Sequence, residues 1–279
     1  MKNYYLVVNP TRDRGLDTAN KVETHLKDNG CTVKTHISEK GENDIYTAAD
    51  SIPDGTECIL VIGGDGTMIQ AARDLAELDI PLLGINMGHM GYLTDVEKDE
   101  LIPSLNELIA DRYTEDERMM ITGEVVDRPE GEVLCTDRAL NDIVVHRRGY
   151  MRVITYDVSV NGKFLKSYRA DGIIVSTPTG STAYSLSAGG PIVEPGSKML
   201  IITPICPHTL NSRSIVLSAE DQIYISTGES DTAVSYDGRE RSMLPAEGGV
   251  RITRSGKVAR IIRLHDDSFL NVLHNKFTD

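Results

Sequence analysis

The stretch from Glu57 to Met68 constrains the fold of this chain more than any other. Cys58 to Ile62 is an unbroken apolar run rich in β-branched residues, which is typical of a strand covered on both faces in a parallel sheet. Two glycines end the run, and apolar residues then recur at helical spacing from Met68 onward. The pattern predicts a strand, a glycine turn and a helix, the arrangement that forms ligand sites at the carboxyl edge of open α/β sheets.

The turn Gly63-Gly64-Asp65-Gly66-Thr67 has the features of a phosphate site. Glycines let backbone come close to a ligand, and the start of a helix offers unpaired N–H groups that suit phosphate. Asp65 places an anion in this position, which indicates a carboxylate that handles a proton or a magnesium ion during phosphate chemistry. The turn has neither the lysine of a P-loop nor the spacing of the dinucleotide fingerprint, and Gly-Asp-Gly also occurs as a plain turn.

Composition limits the partners of this protein. The 279 residues include 42 acidic and 29 basic side chains, for a net charge of −13. We therefore expect neither a nucleic-acid nor a membrane-surface partner, since either favours a basic face. The four cysteines are scattered without metal-ligand spacing, the N-terminus runs straight into a strand, and no apolar run approaches the length of a membrane span. These features indicate a cytoplasmic protein without a metal site made by protein ligands alone.

The periodicity changes once along the chain. Strands alternate with helices up to about Tyr113, which predicts an α/β doubly wound domain over residues 1–117. Short β-type runs between turns predict a β-rich, sandwich-like domain over residues 118–264. Within it, Asn161-Gly162 is a strong hairpin signal, and Ser255-Gly256 is expected to join the last two strands. The amphipathic tail, residues 265–279, is expected to pack back on the first domain.

A hydroxyl-rich segment in the β-rich half is not required by strand formation. A strand ends at Ser176 and is followed by Thr177-Pro178-Thr179-Gly180-Ser181-Thr182-Ala183-Tyr184-Ser185-Leu186-Ser187. Dense hydroxyls and one aromatic ring suit a nucleoside, with Tyr184 stacking on the base. Thr182 or Ser181 is expected to cap a short helix. Turns of this composition also occur without any ligand, so the segment alone leaves both interpretations open.

Two shorter polar pairs are ambiguous by themselves. Asn141-Asp142 opens an otherwise apolar strand, where a carboxylate and an amide can bind the two hydroxyls of a ribose or simply finish the preceding turn. Asp237-Gly238 has the composition of a turn and indicates little more.

Taken in order, these segments closely resemble the NAD kinase family. The resemblance rests on the GGDGT turn, the second glycine-rich loop from Gly84 to Thr94, the Asn141-Asp142 pair, the run from Asp171 to Pro191 and the block from Pro204 to Arg213, and it covers nearly the whole chain. Diacylglycerol kinases, sphingosine kinases and 6-phosphofructokinases share the GGDGT turn or a close variant, whereas the TPTGSTAYSLSAGG run is far more specific to NAD kinases. The resemblance implies transfer of the γ-phosphoryl group of ATP to the 2′-hydroxyl of the adenosine ribose of NAD, which gives NADP.

The resemblance also implies roles for particular residues. Asp65 corresponds to the proposed catalytic base, and Tyr184 lies against the adenine. Asp171 corresponds to a residue that reaches the nicotinamide amide from a neighbouring subunit, which implies a homo-oligomer, either a dimer or a tetramer. Asp142 is one methylene shorter than the glutamate more usual in the family, so its ribose contact is expected to be longer or bridged by water. The implied NAD contacts are Asp65, Gly66, Tyr92, Asn141, Asp142, Arg152, Arg169, Asp171, Thr179, Thr182, Ala183, Tyr184, Ser185, Leu186, Ser187, Asp237 and Arg239.

ATP is expected to carry a divalent metal ion, Mg²⁺, into the site, and Arg152, Arg169 and Arg239 are expected to supply local positive charge. Two other functions compete with this one. A diacylglycerol-type lipid kinase shares the GGDGT turn but needs an apolar groove, for which Thr177–Ser187 is too rich in hydroxyls. A non-catalytic NAD-binding regulator needs the Tyr184 pocket but has no need of Asp65.

Overall fold

The computed structural model describes residues 1–41, 45–88, 91–149, 153–209, 211–229, 231–265 and 269–277. The chain forms two compact units, one made of Met1–Arg118 and Lys257–Asp279 and the other of Met119–Gly256. The sequence-based boundaries had grouped residues 257–264 with the β-rich half. In the structure these residues group with the first unit, because Ile261 pairs in parallel with Leu82.

The first unit is a parallel sheet with helices on both faces. Strands β1 (Asn3–Val8), β2 (Thr32–Ile37), β3 (Cys58–Gly63) and β4 (Leu82–Asn86) lie in the order β2-β1-β3-β4. The helices are α1 (Asp17–Asp28), α2 (Asp65–Asp74), α3 (Leu101–Ile109) and α5 (Phe269–Phe277). The strand order reverses between β1 and β3, which makes that point the topological switch where open α/β sheets bind ligands.

Alternation along β3 explains why its run is apolar throughout. Leu60 and Ile62 join a buried cluster with residues of α1 and α3, including Val22 and Leu105. Ile59 and Val61 are equally buried and point to the opposite face of the sheet. Both faces are therefore covered, as the sequence predicted.

The second unit is built from antiparallel strands around one core. β7 (Asp142–Arg147), β10 (Gly172–Ser176), β11 (Met199–Ile205), β12 (Ile215–Ser218), β14 (Thr232–Tyr236) and β15 (Arg239–Met243) form one sheet in the order β12-β11-β10-β7-β14-β15. β8 (Ile154–Val160), β9 (Lys163–Ala170) and β13 (Ile223–Ser226) pair with the first part of β16 (Gly249–Arg263) in the order β16-β13-β8-β9. The long strand β5 (Thr114–Val126) enters the unit and pairs with β6 (Val133–Ala139), and a short helix, α4, spans Tyr184–Ser187. Side chains from both sheets share a single buried cluster, so the β-rich prediction is confirmed.

The two turn predictions in this unit had opposite outcomes. Asn161 and Gly162 have positive φ angles of 50° and 74° and connect the antiparallel strands β8 and β9, which confirms the hairpin. The prediction of a turn at Ser255-Gly256 was wrong. Both residues lie within the continuous strand β16, where Gly256 has no positive φ. This strand begins in the second unit and ends in the first.

Candidate active site

The glycine turn of the first unit has the predicted geometry. β3 ends at Gly63, Gly64 adopts an extended conformation (φ −134°, ψ −171°), and α2 begins at Asp65. A Cβ atom on Gly63 would overlap the Thr67 side chain, so only glycine allows the helix to start this close to the strand. Gly66 is exposed in the first turn of α2. The strand, turn and helix expected from the sequence are confirmed.

The carboxylate of Asp65 is held by backbone from the loop after β4. Oδ2 accepts the N–H of Tyr92 at 2.8 Å, and Oδ1 accepts the N–H of Leu93 at 3.1 Å. A Cβ on Gly91 would collide with Asp65 Oδ1, so glycine is needed there as well. Each carboxylate oxygen is thus oriented by one backbone donor and has further lone pairs for a ligand.

The switch point adds two residues that sequence reasoning did not select. Asn9, directly after β1, donates its backbone N–H to Ile62 O at 3.0 Å and its side-chain amide to Thr67 Oγ1 at 3.0 Å. Arg12 is exposed, and one guanidinium nitrogen lies 4.0 Å from the point where Gly88 would carry a Cβ. The backbone N–H of Arg12 donates to Asn9 O at 3.1 Å, and across the described residues its side chain makes no hydrogen bond or ion pair. The available sequence signal is Asn9-Pro10, directly after an apolar run.

In the second unit, three strand ends meet at one edge. Asp142 at the start of β7 lies opposite Ser176 at the end of β10, and Tyr236 at the end of β14 lies opposite Ile143. Asp237 follows with a φ of 49°, and its carboxylate accepts the backbone N–H groups of Leu140 (2.9 Å), Asn141 (2.7 Å) and Asp142 (3.2 Å). The residue that looked like part of a plain turn therefore orders the Asn141-Asp142 pair.

Asp142 is a buried carboxyl group. It is 4% exposed, and within the described part of the chain its carboxyl oxygens have no hydrogen-bond partner. Burial, and after it the nearby Asp237 carboxylate, together raise the pKa of Asp142 to about 7. A carboxyl of this kind can accept or donate a hydrogen bond near neutral pH, which suits a sugar hydroxyl.

Most hydroxyls of the Thr177–Ser187 segment hold the segment itself together. Thr177 Oγ1 donates to Leu140 O at 2.6 Å, Ser181 bonds both the N–H and the C=O of Val193, and the fully buried Ser185 hydroxyl lies 3.2 Å from Thr203 Oγ1. The predicted cap is wrong. A 3₁₀ turn at Thr179–Thr182 precedes α4, and Ala183, at the start of that helix, makes no side-chain cap bond.

The segment nevertheless lies beside the Asn141-Asp142 pair. A Cβ on Gly180 would overlap the backbone carbonyl of Asn141, so the close approach requires glycine. Tyr184, at the start of α4, is 46% exposed. The pKa of its hydroxyl is raised, first by burial, then by the Cys206 thiol and then by the Asp142 carboxylate, which therefore lies nearby. The tyrosine ring is therefore open to stacking.

The other predicted site residues occupy different parts of the fold. Asp171 precedes β10, and Asp142 lies opposite the last residue of that strand, so the two are roughly 17 Å apart along the strand. Asp171 is nevertheless close enough to Tyr184 to contribute to its raised pKa. Asp171 Oδ1 accepts Arg147 Nε at 3.0 Å. Arg169 is exposed on β9, whereas Arg239 is buried in an ion pair with Asp137, a carboxylate that also pairs with Arg241. Arg152 lies outside the described residues. Thr179, Thr182, Ala183, Leu186 and Ser187 lie in the segment around α4.

Comparison with known proteins identifies the family. Residues 5–113 match the ATP-NAD kinase N-terminal domain, and residues 140–264 match the ATP-NAD kinase C-terminal domain. The chain belongs to the ATP-NAD kinase family. It is 40% identical to an NAD kinase of Lachnospira eligens over 99% of this chain and 100% of that protein, and 41% identical to one of Agathobacter rectalis over 99% and 98%.

Solved structures of ATP-NAD kinase relatives share the fold. An NAD kinase from Archaeoglobus fulgidus in complex with ATP superposes with a TM-score of 0.75 at 25% identity, over 99% of this chain and 97% of that one. Yeast NADH kinase complexed with NADH has a TM-score of 0.85 at 24% identity, over 100% of this chain and 88% of that one.

In this family member, the described residues contain no group of three or more His, Cys, Asp and Glu side chains placed to hold a metal ion. Asp65 is a single carboxylate beside the glycine turn. No helix in the described ranges is long and apolar enough to cross a bilayer.

The raised pKa of Asp142 predicts a pH-dependent stability difference. The folded pKa of about 7 exceeds the ordinary aspartate value of 3.8, so the folded state binds more protons between these values and wild-type stability falls as pH rises through them. Asp142→Asn removes that titration. We expect the variant to gain stability relative to wild type between pH 5 and pH 8, by on the order of a few kcal/mol. Melting temperatures at both pH values measure this, and a pH-independent difference would contradict it.

Proposed function

We propose that this chain is an NAD kinase that transfers the γ-phosphoryl group of ATP to the 2′-hydroxyl of the adenosine ribose of NAD, giving NADP. The observation that carries the proposal is Asp65, a carboxylate oriented by two backbone N–H groups beside a glycine turn at the switch point of the sheet. Family membership supports it, and so does the likeness to an NAD kinase structure that contains ATP.

In this mechanism Asp65 is the general base. Its carboxylate accepts the proton of the 2′-hydroxyl while that oxygen bonds to the γ-phosphorus of ATP. The bond between the γ-phosphorus and the bridging oxygen breaks, its electron pair goes to that oxygen, and ADP leaves. Transfers of this kind depend mostly on positioning and on neutralisation of phosphate charge, so a base with both oxygens oriented fits the task.

The groups proposed to bind the phosphates belong to the first unit. The backbone of Gly64 and Gly66 and the N-terminus of α2 provide N–H donors for the triphosphate. Arg12 supplies a cation that no described acidic side chain neutralises, which matters in a chain with a net charge of −13. Mg²⁺ enters as part of the MgATP substrate, and Asp65 is the one carboxylate of the turn that it would meet.

The groups proposed to bind the dinucleotide belong to the second unit. Asn141 and Asp142 bind the adenosine ribose, with their backbone ordered by Asp237. Tyr184 stacks on the adenine, and the segment from Thr179 to Ser187 surrounds it. Ser185, fully buried and bonded to Thr203, shapes this segment and contributes backbone contacts.

The proposal of a homo-oligomer rests on the family resemblance at Asp171. Within one chain Asp171 lies at the far end of β10 from Asp142, and it contributes to the raised pKa of Tyr184. We propose a dimer or tetramer in which Asp171 of one copy completes the site of another.

The free cysteines, two of them buried, are consistent with action in the reducing cytoplasm.

The direct test is incubation with NAD, ATP and Mg²⁺, followed by an NADP-specific dehydrogenase assay. We expect NADP to form and diacylglycerol to remain unphosphorylated in a parallel incubation. Phosphorylated lipid without NADP would move the chain to the lipid-kinase branch. NAD binding without transfer to either acceptor would indicate a regulator.

Tyr184→Ala is expected to weaken NAD binding by about fivefold, because stacking contributes about 1 kcal/mol. ATP affinity should change less. Tyr184→Phe keeps the ring and should bind NAD as wild type does. Phe164→Ala, which removes a still more exposed ring in the same unit, is the control. Calorimetry with each nucleotide measures these affinities. Unchanged NAD affinity in Tyr184→Ala would place the adenine elsewhere.

Asp65→Asn tests the base. The amide keeps the shape but lacks basicity, so kcat should fall roughly a hundred- to ten-thousandfold, while NAD binding survives. In the variant, the side-chain NH₂ group replaces one oxygen that accepts a backbone N–H in the wild type. Two donors then face each other and one hydrogen bond is lost, which should lower the free energy of unfolding by on the order of 1 kcal/mol.

Asp13→Asn is the matched control for this substitution. Asp13 is buried, and its two oxygens likewise accept one backbone N–H each, from Thr18 at 3.1 Å and Ala19 at 2.8 Å. Both variants should lose similar stability, but only Asp65→Asn should lose kcat. Equal kcat in the two variants would exclude Asp65 as the base.

A further inference from the structure

The loop that holds Asp65 is itself held by the C-terminal part of the chain. This loop, residues 91–96, is called here the holding loop. Its end is fixed to β4, since Val96 N–H donates to Gly84 O at 3.1 Å and Val96 O accepts from Asn86 at 2.8 Å. Its middle, which carries the two N–H groups that bind Asp65, contacts the end of β16 and helix α5, all within the first unit.

Arg263, the last residue of β16, makes the central contact. Its Nη2 donates to the carbonyl oxygen of Tyr92 at 3.0 Å, and its Nη1 donates to Asp95 Oδ1 at 3.2 Å. The Tyr92 carbonyl belongs to the same peptide group as the Leu93 N–H, which donates to Asp65 Oδ1. One peptide group therefore joins the guanidinium to the carboxylate. A cation at the C=O end of a peptide strengthens the hydrogen bond that its N–H donates.

Asp95 anchors the far side of the holding loop. Its side chain is 6% exposed, and its Oδ2 accepts the backbone N–H of Leu264 at 2.7 Å in addition to the Arg263 contact through Oδ1. The loop and the strand end are thus joined by a buried ion pair and a charge-assisted hydrogen bond. A displacement of Arg263 would be transmitted to both ends of the Tyr92–Asp95 stretch.

Helix α5 covers the remaining exposed part of the same loop. The Phe269 ring lies 6.4 Å from the Tyr92 ring, centroid to centroid, and Lys276 Nζ lies 4.6 Å from the centroid of the Tyr92 ring. These contacts restrain the Tyr92 side chain, while Arg263 restrains its backbone.

We propose that Arg263 is a positioning residue for the phosphoryl transfer, which orients the Asp65 carboxylate through the Tyr92–Leu93 peptide group. The proposal rests on Asp65 being the base, as proposed above. Arg263 touches neither substrate in this scheme, so its loss should lower kcat while the KM values for NAD and ATP change little.

The test compares Arg263→Gln with Arg260→Gln. Arg260 lies on the same strand and bonds Glu115 and the carbonyl of Asp79, so its substitution removes the same charge and comparable contacts without touching the holding loop. We expect kcat to fall roughly ten- to hundredfold in Arg263→Gln, as for other groups that orient a reacting side chain, and to stay near wild type in Arg260→Gln. Arg263→Lys, which keeps one donor for Tyr92 O, should recover part of the loss. Equal kcat in the two glutamine variants would overturn the proposal.

A double variant separates positioning from general loss of structure. If Arg263 acts through Asp65, then Arg263→Gln should cost little further kcat in an Asp65→Asn background. A full and independent loss in that background would overturn the proposal, since it would show that Arg263 acts by another route.

A readout independent of activity distinguishes this proposal from the function it rests on. In protein labelled with ¹³C at aspartate carboxyls, the Asp65 signal is assigned by its disappearance in Asp65→Asn. We expect that signal to shift in Arg263→Gln and to stay in place in Arg260→Gln. If the wild-type protein made no NADP, the proposed function would fail, and the carboxyl signal would still decide whether Arg263 orients Asp65. An unshifted signal in Arg263→Gln overturns the positioning role.

Discussion

The parallel pairing of β3 between β1 and β4 is the constraint on which the first unit depends. It places the ends of three strands side by side, so that the loops after β1, β3 and β4 meet at one edge. Asn9 comes from the first loop, Asp65 from the second, and the N–H groups of Tyr92 and Leu93 from the third. The Asp65 carboxylate has a defined orientation because the loop after the neighbouring strand β4 supplies the N–H groups that bind it. Glycines at 63 and 91 are needed where this convergence leaves no room for a Cβ.

In the second unit, an antiparallel sheet brings strand ends together in a similar way. The start of β7 and the ends of β10 and β14 share an edge, and Asp237 binds three consecutive backbone N–H groups there. An anion that receives three such bonds fixes its own turn and the Asn141-Asp142 backbone together. The same anion raises the pKa of the buried Asp142, so the residue that organises the site also changes the chemistry of its neighbour.

An NAD kinase with a net charge of −13 must still bind two phosphate-bearing substrates. Many of its arginines are committed to carboxylates: Arg147 to Asp171, Arg239 to Asp137 and Arg263 to Asp95. These pairs build structure. Asp137 is shared by Arg239 and Arg241, so these three side chains together keep a net positive charge. Phosphate can also be bound by Arg12 and by the backbone N–H groups at the start of α2. These N–H groups bind anions whatever the net charge of the chain.

The sequence by itself determined the features that arise from neighbouring residues. The apolar run, the glycines and the helical spacing around Asp65 specify strand, turn and helix, and Asn161-Gly162 specifies a hairpin, because these conformations depend on local sterics and side-chain periodicity. The same local reasoning placed a turn at Ser255-Gly256 and so separated two halves of one continuous strand. Only the tertiary structure decided which distant groups meet. Asp237 bonds residues 95 to 97 positions away, and Arg263 reaches Tyr92 across 171 positions. Such contacts follow from strand order and burial, which act between segments far apart in the chain and leave no local pattern at either one.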